Sequence, residues 1–94
     1  MLMIARGDSM LPTLQDGHAY EYQFVNASAI GIGDIILFCA DDCIICHRVM
    51  DIFYMRNGKR YFKTKGDNCP FPDSFAVTAE MVLGKIDQKC FRTF

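Results

Sequence analysis

The chain lacks any apolar run long enough to cross a bilayer. Its longest, Ile35-Ile36-Leu37-Phe38-Cys39-Ala40, has six residues, against the roughly 20 that a spanning helix needs. The opening Met1-Leu2-Met3-Ile4-Ala5-Arg6 has neither the basic leader nor the apolar core of about 7–15 residues that mark a secretion signal. A chain of this sequence alone is therefore expected to stay in the cytoplasm, with no membrane span. An excess of one charge is also missing: ten basic and eleven acidic side chains leave a net charge of −1. No overall field draws such a chain to nucleic acid or anionic lipid. No repeat or low-complexity tract is present, and apolar spacing of three and four never persists long enough for a long helix.

What is there is globular. The chain is 51% hydrophobic, 13% aromatic and 22% charged over 94 residues, enough for one domain spanning residues 1–94 and too short for two. Strand signals dominate. His18 to Val25 mixes aromatic and polar residues in near alternation, and Asp34 to Ala40 is a short apolar run bounded by Gly33 and Asp41-Asp42. Cys43 to Phe53 is again β-branched and aromatic. Asn57-Gly58 separates it from Lys59 to Lys65, which is the strongest short hairpin signal. After the loop Gly66 to Asp73, a segment from about Ala76 to Cys90 has room for a helical turn and a closing strand. The class is mainly β.

Two local patterns invite other chemistry. Arg56, Lys59, Arg60, Lys63 and Lys65 interleave with Tyr61 and Phe62, as in strips that stack bases and meet phosphates. The balanced charge of the whole chain favours a solvated hairpin edge instead, and no nucleic-acid partner is expected. Cys43-Ile44-Ile45-Cys46-His47 matches a haem-attachment pattern, and Cys69 adds a fourth zinc-type donor. On a strand, however, Cys43 and Cys46 lie about 10 Å apart on opposite faces, too far for chelation or a disulfide. Five cysteines, an odd count, suit free thiols in a reducing compartment. No metal and no cofactor is expected.

The segment Arg6-Gly7-Asp8-Ser9-Met10-Leu11-Pro12-Thr13 carries nucleophile chemistry. Gly7 permits a tight backbone, and Pro12 disfavours helical geometry at Leu11. Ser9 is thus presented where its hydroxyl and neighbouring N–H groups can both face a carbonyl. Asp-Ser before Pro-Thr is also ordinary turn chemistry. The ordered set Gly7, Ser9, Met10, Pro12 and Thr13 resembles the nucleophile segment of the type I signal peptidases, and Gly-Asp-Ser-Met is also the form seen in the LexA-type self-cleaving repressors. Two further blocks, Gly33-Asp34-Ile35 with His47-Arg48-Val49 and Thr64-Lys65-Gly66-Asp67-Asn68 with Asp73, resemble the branch of signal peptidases that uses histidine in place of lysine. Together the blocks cover about two-thirds of the chain.

The resemblance implies a small barrel-like β fold and a Ser-His-Asp arrangement, in which Ser9 attacks, His47 moves the proton and an aspartate orients the imidazole. Position in the family pattern favours Asp73. Asp67 is the rival, although its Gly-Asp-Asn setting also suits a structural turn. Lys63 and Lys65 are the lysines nearest the motifs, should the base be a lysine. Met10 and Pro12, beside the serine, are the candidate substrate-binding residues. His18 is read as a surface residue. Signal peptidases often place a serine two residues before the nucleophile as an oxyanion donor. Gly7 stands there, so the oxyanion hole must rely on backbone N–H groups, including that of Ser9.

The implied partner is an extended peptide cut in trans, such as the leader of a cytoplasmic precursor. The second reading is a catalytically inactive regulatory or interaction domain of the same fold. Self-cleavage has little chain upstream of Ser9 to act on. The sequence leaves the oligomeric state open.

Overall fold

The computed structural model describes residues 1–87. Seven strands, β1 (Leu2–Ile4), β2 (Ala19–Gln23), β3 (Ile35–Ala40), β4 (Cys43–Tyr54), β5 (Arg60–Lys65), β6 (Ala76–Thr78) and β7 (Val82–Ile86), form one antiparallel sheet in the order β1-β2-β7-β3-β4-β5-β6. Short 3-10 turns at Ala27–Ala29 and Ala79–Met81 complete the elements. The fold is mainly β, and among the described residues no helix is long and apolar enough to cross a membrane.

The turns follow from their residues. Asp41 and Asp42 both have positive φ, 50° and 62°, the mirror-image turn that suits the twist of a two-residue hairpin between β3 and β4. At the other hairpin Gly58 has φ 81°, and Asn57 Oδ1 accepts the Lys59 N–H at 3.0 Å. The expected final segment resolves into β6, a 3-10 turn and β7. Its last stretch, from 88 to Cys90, lies outside the described residues.

β3 is paired on both sides, to β7 and to β4. Its faces are covered by two separate clusters, so Ile35, Ile36, Leu37 and Phe38 are all buried and the run carries no alternation. Ile36 and Phe38 pack with Ile30, Val49, Phe62 and Val77 on one side. On the other, Ile35 packs with Ala5, Met10, Leu14 and Ile86.

Of the basic strip of the β4–β5 hairpin, Arg56 and Lys59 are exposed, while Arg60, Lys63 and Lys65 are tied to backbone carbonyls. Arg60 donates from Nη1 to the Ala27 carbonyl at 2.8 Å and from Nη2 to the Ile30 carbonyl at 2.7 Å, while its guanidinium lies 5.5 Å from the Phe62 ring centre. Phe62 itself is fully buried. Lys63 and Lys65 reach the backbone carbonyls of Asp73 and Gly66.

The barrel-like form implied by the resemblance is corrected by the strand order: the sheet ends at β1 and β6 and is not closed. The reason lies in strand length. β1 and β6 have three residues each, and β5 pairs with β4 only from Arg48 onward, leaving Cys43 to His47 paired to β3 alone. One edge of β4 therefore stays open beside the serine segment.

Because Phe62 fills the centre of the larger cluster, Phe62→Ala is expected to cost about 3–5 kcal/mol. Urea unfolding followed by circular dichroism checks this; a loss below about 1 kcal/mol would mean that this cluster is not a packed core.

Candidate active site

Ser9 is held between fixed points. Leaving β1, the chain turns at Gly7 (φ 84°), whose N–H donates to Asp16 Oδ1 at 2.9 Å. Met10 and Leu14 then insert into the smaller cluster, 5% and 2% exposed. The Leu11 N–H returns to the Asp8 carbonyl at 3.1 Å, and the Leu11–Pro12 peptide is cis. Ser9 rides on this compact turn with its own N–H free of any partner among the described residues.

The loop after β5 clamps the turn from the other side. Asn68 donates its N–H to the Ser9 carbonyl at 2.8 Å and its side-chain amide to the Asp8 carbonyl at 3.0 Å. This contact needs glycine at position 66. A methyl group there would stand 2.6 Å from the Ser9 carbonyl oxygen, 2.8 Å from Cys69 Sγ and 3.1 Å from His47 Nε2.

His47, on β4, is 9% exposed and lies edge-on to Phe38 at 6.4 Å. Its Nε2 is 3.2 Å from Ser9 Oγ, and its Nδ1 is 2.7 Å from Asp73 Oδ2. An ionised carboxylate only accepts, so Nδ1 carries the proton and Nε2 offers its lone pair to the serine hydroxyl. Asp73 is fixed in turn: its N–H donates to the Thr64 carbonyl at 2.8 Å, and the buried Thr64 hydroxyl donates to Asp73 Oδ2 at 2.7 Å. Lys63 Nζ donates to the Asp73 carbonyl.

Asp67 has a different neighbourhood. Arg48 Nε and Nη2 each donate to its carboxylate at 2.8 Å, and Thr13 Oγ1 donates at 2.6 Å. The hydrogen bond from Arg48, opposed by burial and aided by Thr13, holds the carboxyl below its usual range. Of the two aspartates, Asp73 stands on the imidazole, while Asp67 ties the serine turn to β4.

A cleft of about 660 Å³ opens from Ser9 and His47. One wall is β1, with Leu2 and Ile4; the other is the first half of β4, with Ile44 and Cys46. Tyr22, Leu37 and Met10 also line it. Met10 is thus a mostly buried part of the lining, with its sulfur 3.3 Å from the Asp67 N–H. Pro12 is exposed on the serine turn and does not line the cleft.

Both walls offer backbone. Met1 and Ala5 bond toward β2 and its extension, so alternation along an antiparallel strand turns the N–H and C=O groups of Leu2 and Ile4 to the free side. Val49 bonds toward Gly33 and Asp34, and the same alternation turns the groups of Cys46 and Ile44 away from β3. Two open strand edges face one cleft.

No family model matches the chain, and no curated protein matches it. The chemistry of the site has to be read from its own atoms. A hydroxyl, an imidazole and a carboxylate in this order can pass a proton from the hydroxyl and stabilise the imidazolium that results.

The remaining sequence candidates stand apart. Cys46 is covered by the smaller cluster, and desolvation, with the Asp67 charge second, pushes its thiol up to about 12. Cys43 is exposed three residues away on the same strand, so the two do not converge. Among the described residues no group of three or more His, Cys, Asp or Glu is placed to share an ion. His18 is exposed. The sequence reading missed Thr64, Lys63, Thr13 and Gly66 as supports of the site. Thr13 stood in the serine motif and Thr64 and Gly66 in the quoted Thr64-Lys65-Gly66 block, both without a role, and Lys63 was named only as a possible base.

The depressed Asp67 carboxyl gives a signed pH effect. Its contribution is fully present above the unfolded carboxylate range, about 3.9, and is lost as pH falls through the lower folded value. Asp67→Asn is expected to lose about 1–3 kcal/mol at pH 7, with the gap to the parent narrowing on acidification. Denaturant melts at several pH values check this, and a gap independent of pH would remove the charge pairing from the account.

Proposed function

We propose that the chain is a small serine endopeptidase of the signal-peptidase-like type, cutting an extended peptide in trans. The observation that carries this reading is the relay from Ser9 through His47 to Asp73, at 3.2 and 2.7 Å, at the end of a cleft with two open strand edges. Hydrogen bonds of 2.6–3.2 Å are within reach for general base catalysis. Supporting it are the three sequence blocks that resemble the histidine branch of the signal peptidases. The finer fold assignment, a signal peptidase or LexA-type core, rests on the same resemblance.

In the proposed reaction a peptide strand lies between β1 and β4 and takes backbone hydrogen bonds from both edges. Ser9 Oγ attacks the scissile carbonyl as its proton passes to His47 Nε2. The carbonyl oxygen becomes an oxyanion facing the unpartnered Ser9 N–H. His47 then gives the proton to the departing amine, the C–N bond breaks and an ester to Ser9 remains. A water molecule, deprotonated by His47, repeats the sequence to release the acid and restore Ser9. Asp73 keeps Nδ1 protonated and balances the imidazolium.

Preference for small side chains before the cut comes from the resemblance alone. The four described thiols are all free, which suits a reducing compartment such as the cytoplasm. The leader of a cytoplasmic precursor peptide is a fitting substrate.

Labelling with a serine-directed phosphonate tests the reading. Ser9→Ala and His47→Ala are expected to abolish it, and Asp73→Asn to slow it by about 10²–10⁴-fold. Folded Asp67→Asn should label within about tenfold of the parent. Labelling that survives in Ser9→Ala, or is absent from the folded parent, would falsify the assignment.

A further inference from the structure

Arg6 stands out in the cleft. Among the lining residues it alone carries a formal charge, with apolar side chains forming most of the remaining wall. It lies two residues beyond the end of β1 and precedes Ser9 by three residues. Leu2, Ile4 and Arg6 are the exposed members of the alternation, while Met3 and Ala5 turn inward. Arg6 thus ends a row of exposed residues on the cleft lining, three positions before Ser9. No carboxylate pairs with it among the described residues, where the ion pairs belong to His47, Arg48, Lys59 and Lys85. The nearby Asp16 carboxylate accepts the Gly7 N–H instead.

We infer that Arg6 is a specificity residue that binds an acidic side chain of the peptide close to the cut. The inference rests on reading the cleft as the substrate site. A guanidinium presents a planar fork of donors that matches a carboxylate. In the empty cleft water screens that charge. A peptide filling the space between apolar walls displaces water and strengthens the pair, and the same field disfavours a lysine or arginine at that position. The inferred substrate is an extended, mainly apolar segment with Asp or Glu within a few residues of the scissile bond. A free C-terminal carboxylate offers the same group, so the test separates the two.

Acetylated tripeptidyl phosphonates Ala-Xaa-Ala and Xaa-Ala-Ala, with Xaa as Glu, Gln or Lys, report the preference as inactivation rates. In at least one series Glu is expected to exceed Gln by about three- to tenfold, with Lys slowest. Arg6→Ala should bring the Glu-to-Gln ratio to about one, and Arg6→Glu should invert the Glu-to-Lys order. Equal rates for all three, or a Glu preference that survives Arg6→Ala, overturns the inference while leaving the peptidase reading intact. If no probe labels Ser9, that reading fails, and the inference is decided by fluorescence anisotropy with Ser9→Ala. The peptides are heptamers of Ala and Val with Glu, Gln or Lys at the centre, amidated, and the Gln peptide as a free acid. Tighter binding of the amidated Glu peptide, lost with Arg6→Ala, supports the inference. No binding, or a gain only for the free acid, overturns it.

Discussion

The Asp67 carboxylate joins parts of the chain that the backbone keeps far apart. Through Thr13 it holds the serine turn, and through the forked contact with Arg48 it holds the strand that carries His47. Arg48 adds a third tie, donating Nη1 to the Gly33 carbonyl at 2.7 Å. Both side chains of the ion pair are mostly covered, at 26% and 18% exposure. Such a pair contributes less by its net strength than by what its loss would leave behind, a partly buried charge without its partner. This tie and the bare Gly66 backbone beneath the serine carbonyl flank the Ser9–His47 pair.

An unclosed sheet leaves strand edges without partners. Open strand edges invite pairing with other chains, and proteins usually shorten or cover them. Here β1 has only three residues, and the free half of β4 lies inside a cleft instead of on a flat edge. Both edges end at the Ser9–His47 pair, which is where the proposed peptide strand would bring its scissile bond. The larger cluster packs the other side of the sheet around Phe38 and Phe62, and His47 meets it through Phe38. The imidazole is thus backed by the larger cluster through Phe38 and also lines the cleft.

Much of this was legible in the residues, and the illegible part has definite causes. Alternation and turn chemistry located β2 to β5, because those strands are five residues or longer and β3, β4 and β5 flank Asp41-Asp42 or Asn57-Gly58. β1 escaped, since three residues are too few to show a period and its pairing with β2 is set by tertiary contacts. Barrel closure was inferred from a resemblance, but closure depends on where β5 stops pairing with β4, and no local pattern records that. Ser9 and His47 came from ordered motifs separated by 38 positions. Asp73 was preferred to Asp67 only by its position in a family pattern, since both lie in one loop; their side-chain partners separate them physically.

Those partners divide the work of the two carboxylates. Asp67 receives a full positive charge from Arg48, which neutralises it in place and leaves little field for a second cation. Asp73 is treated otherwise. Its carboxylate takes the neutral Thr64 hydroxyl and the His47 N–H, while the nearby Lys63 ammonium is bound to the backbone carbonyl instead. Its negative charge is therefore held in position but not cancelled. An imidazolium formed at His47 would meet an uncompensated carboxylate at 2.7 Å, in a setting only 11% and 16% exposed, where screening is weak. Exchanging the two environments would remove that stabilisation at the step where the proposed reaction needs it, even with every catalytic side chain still present.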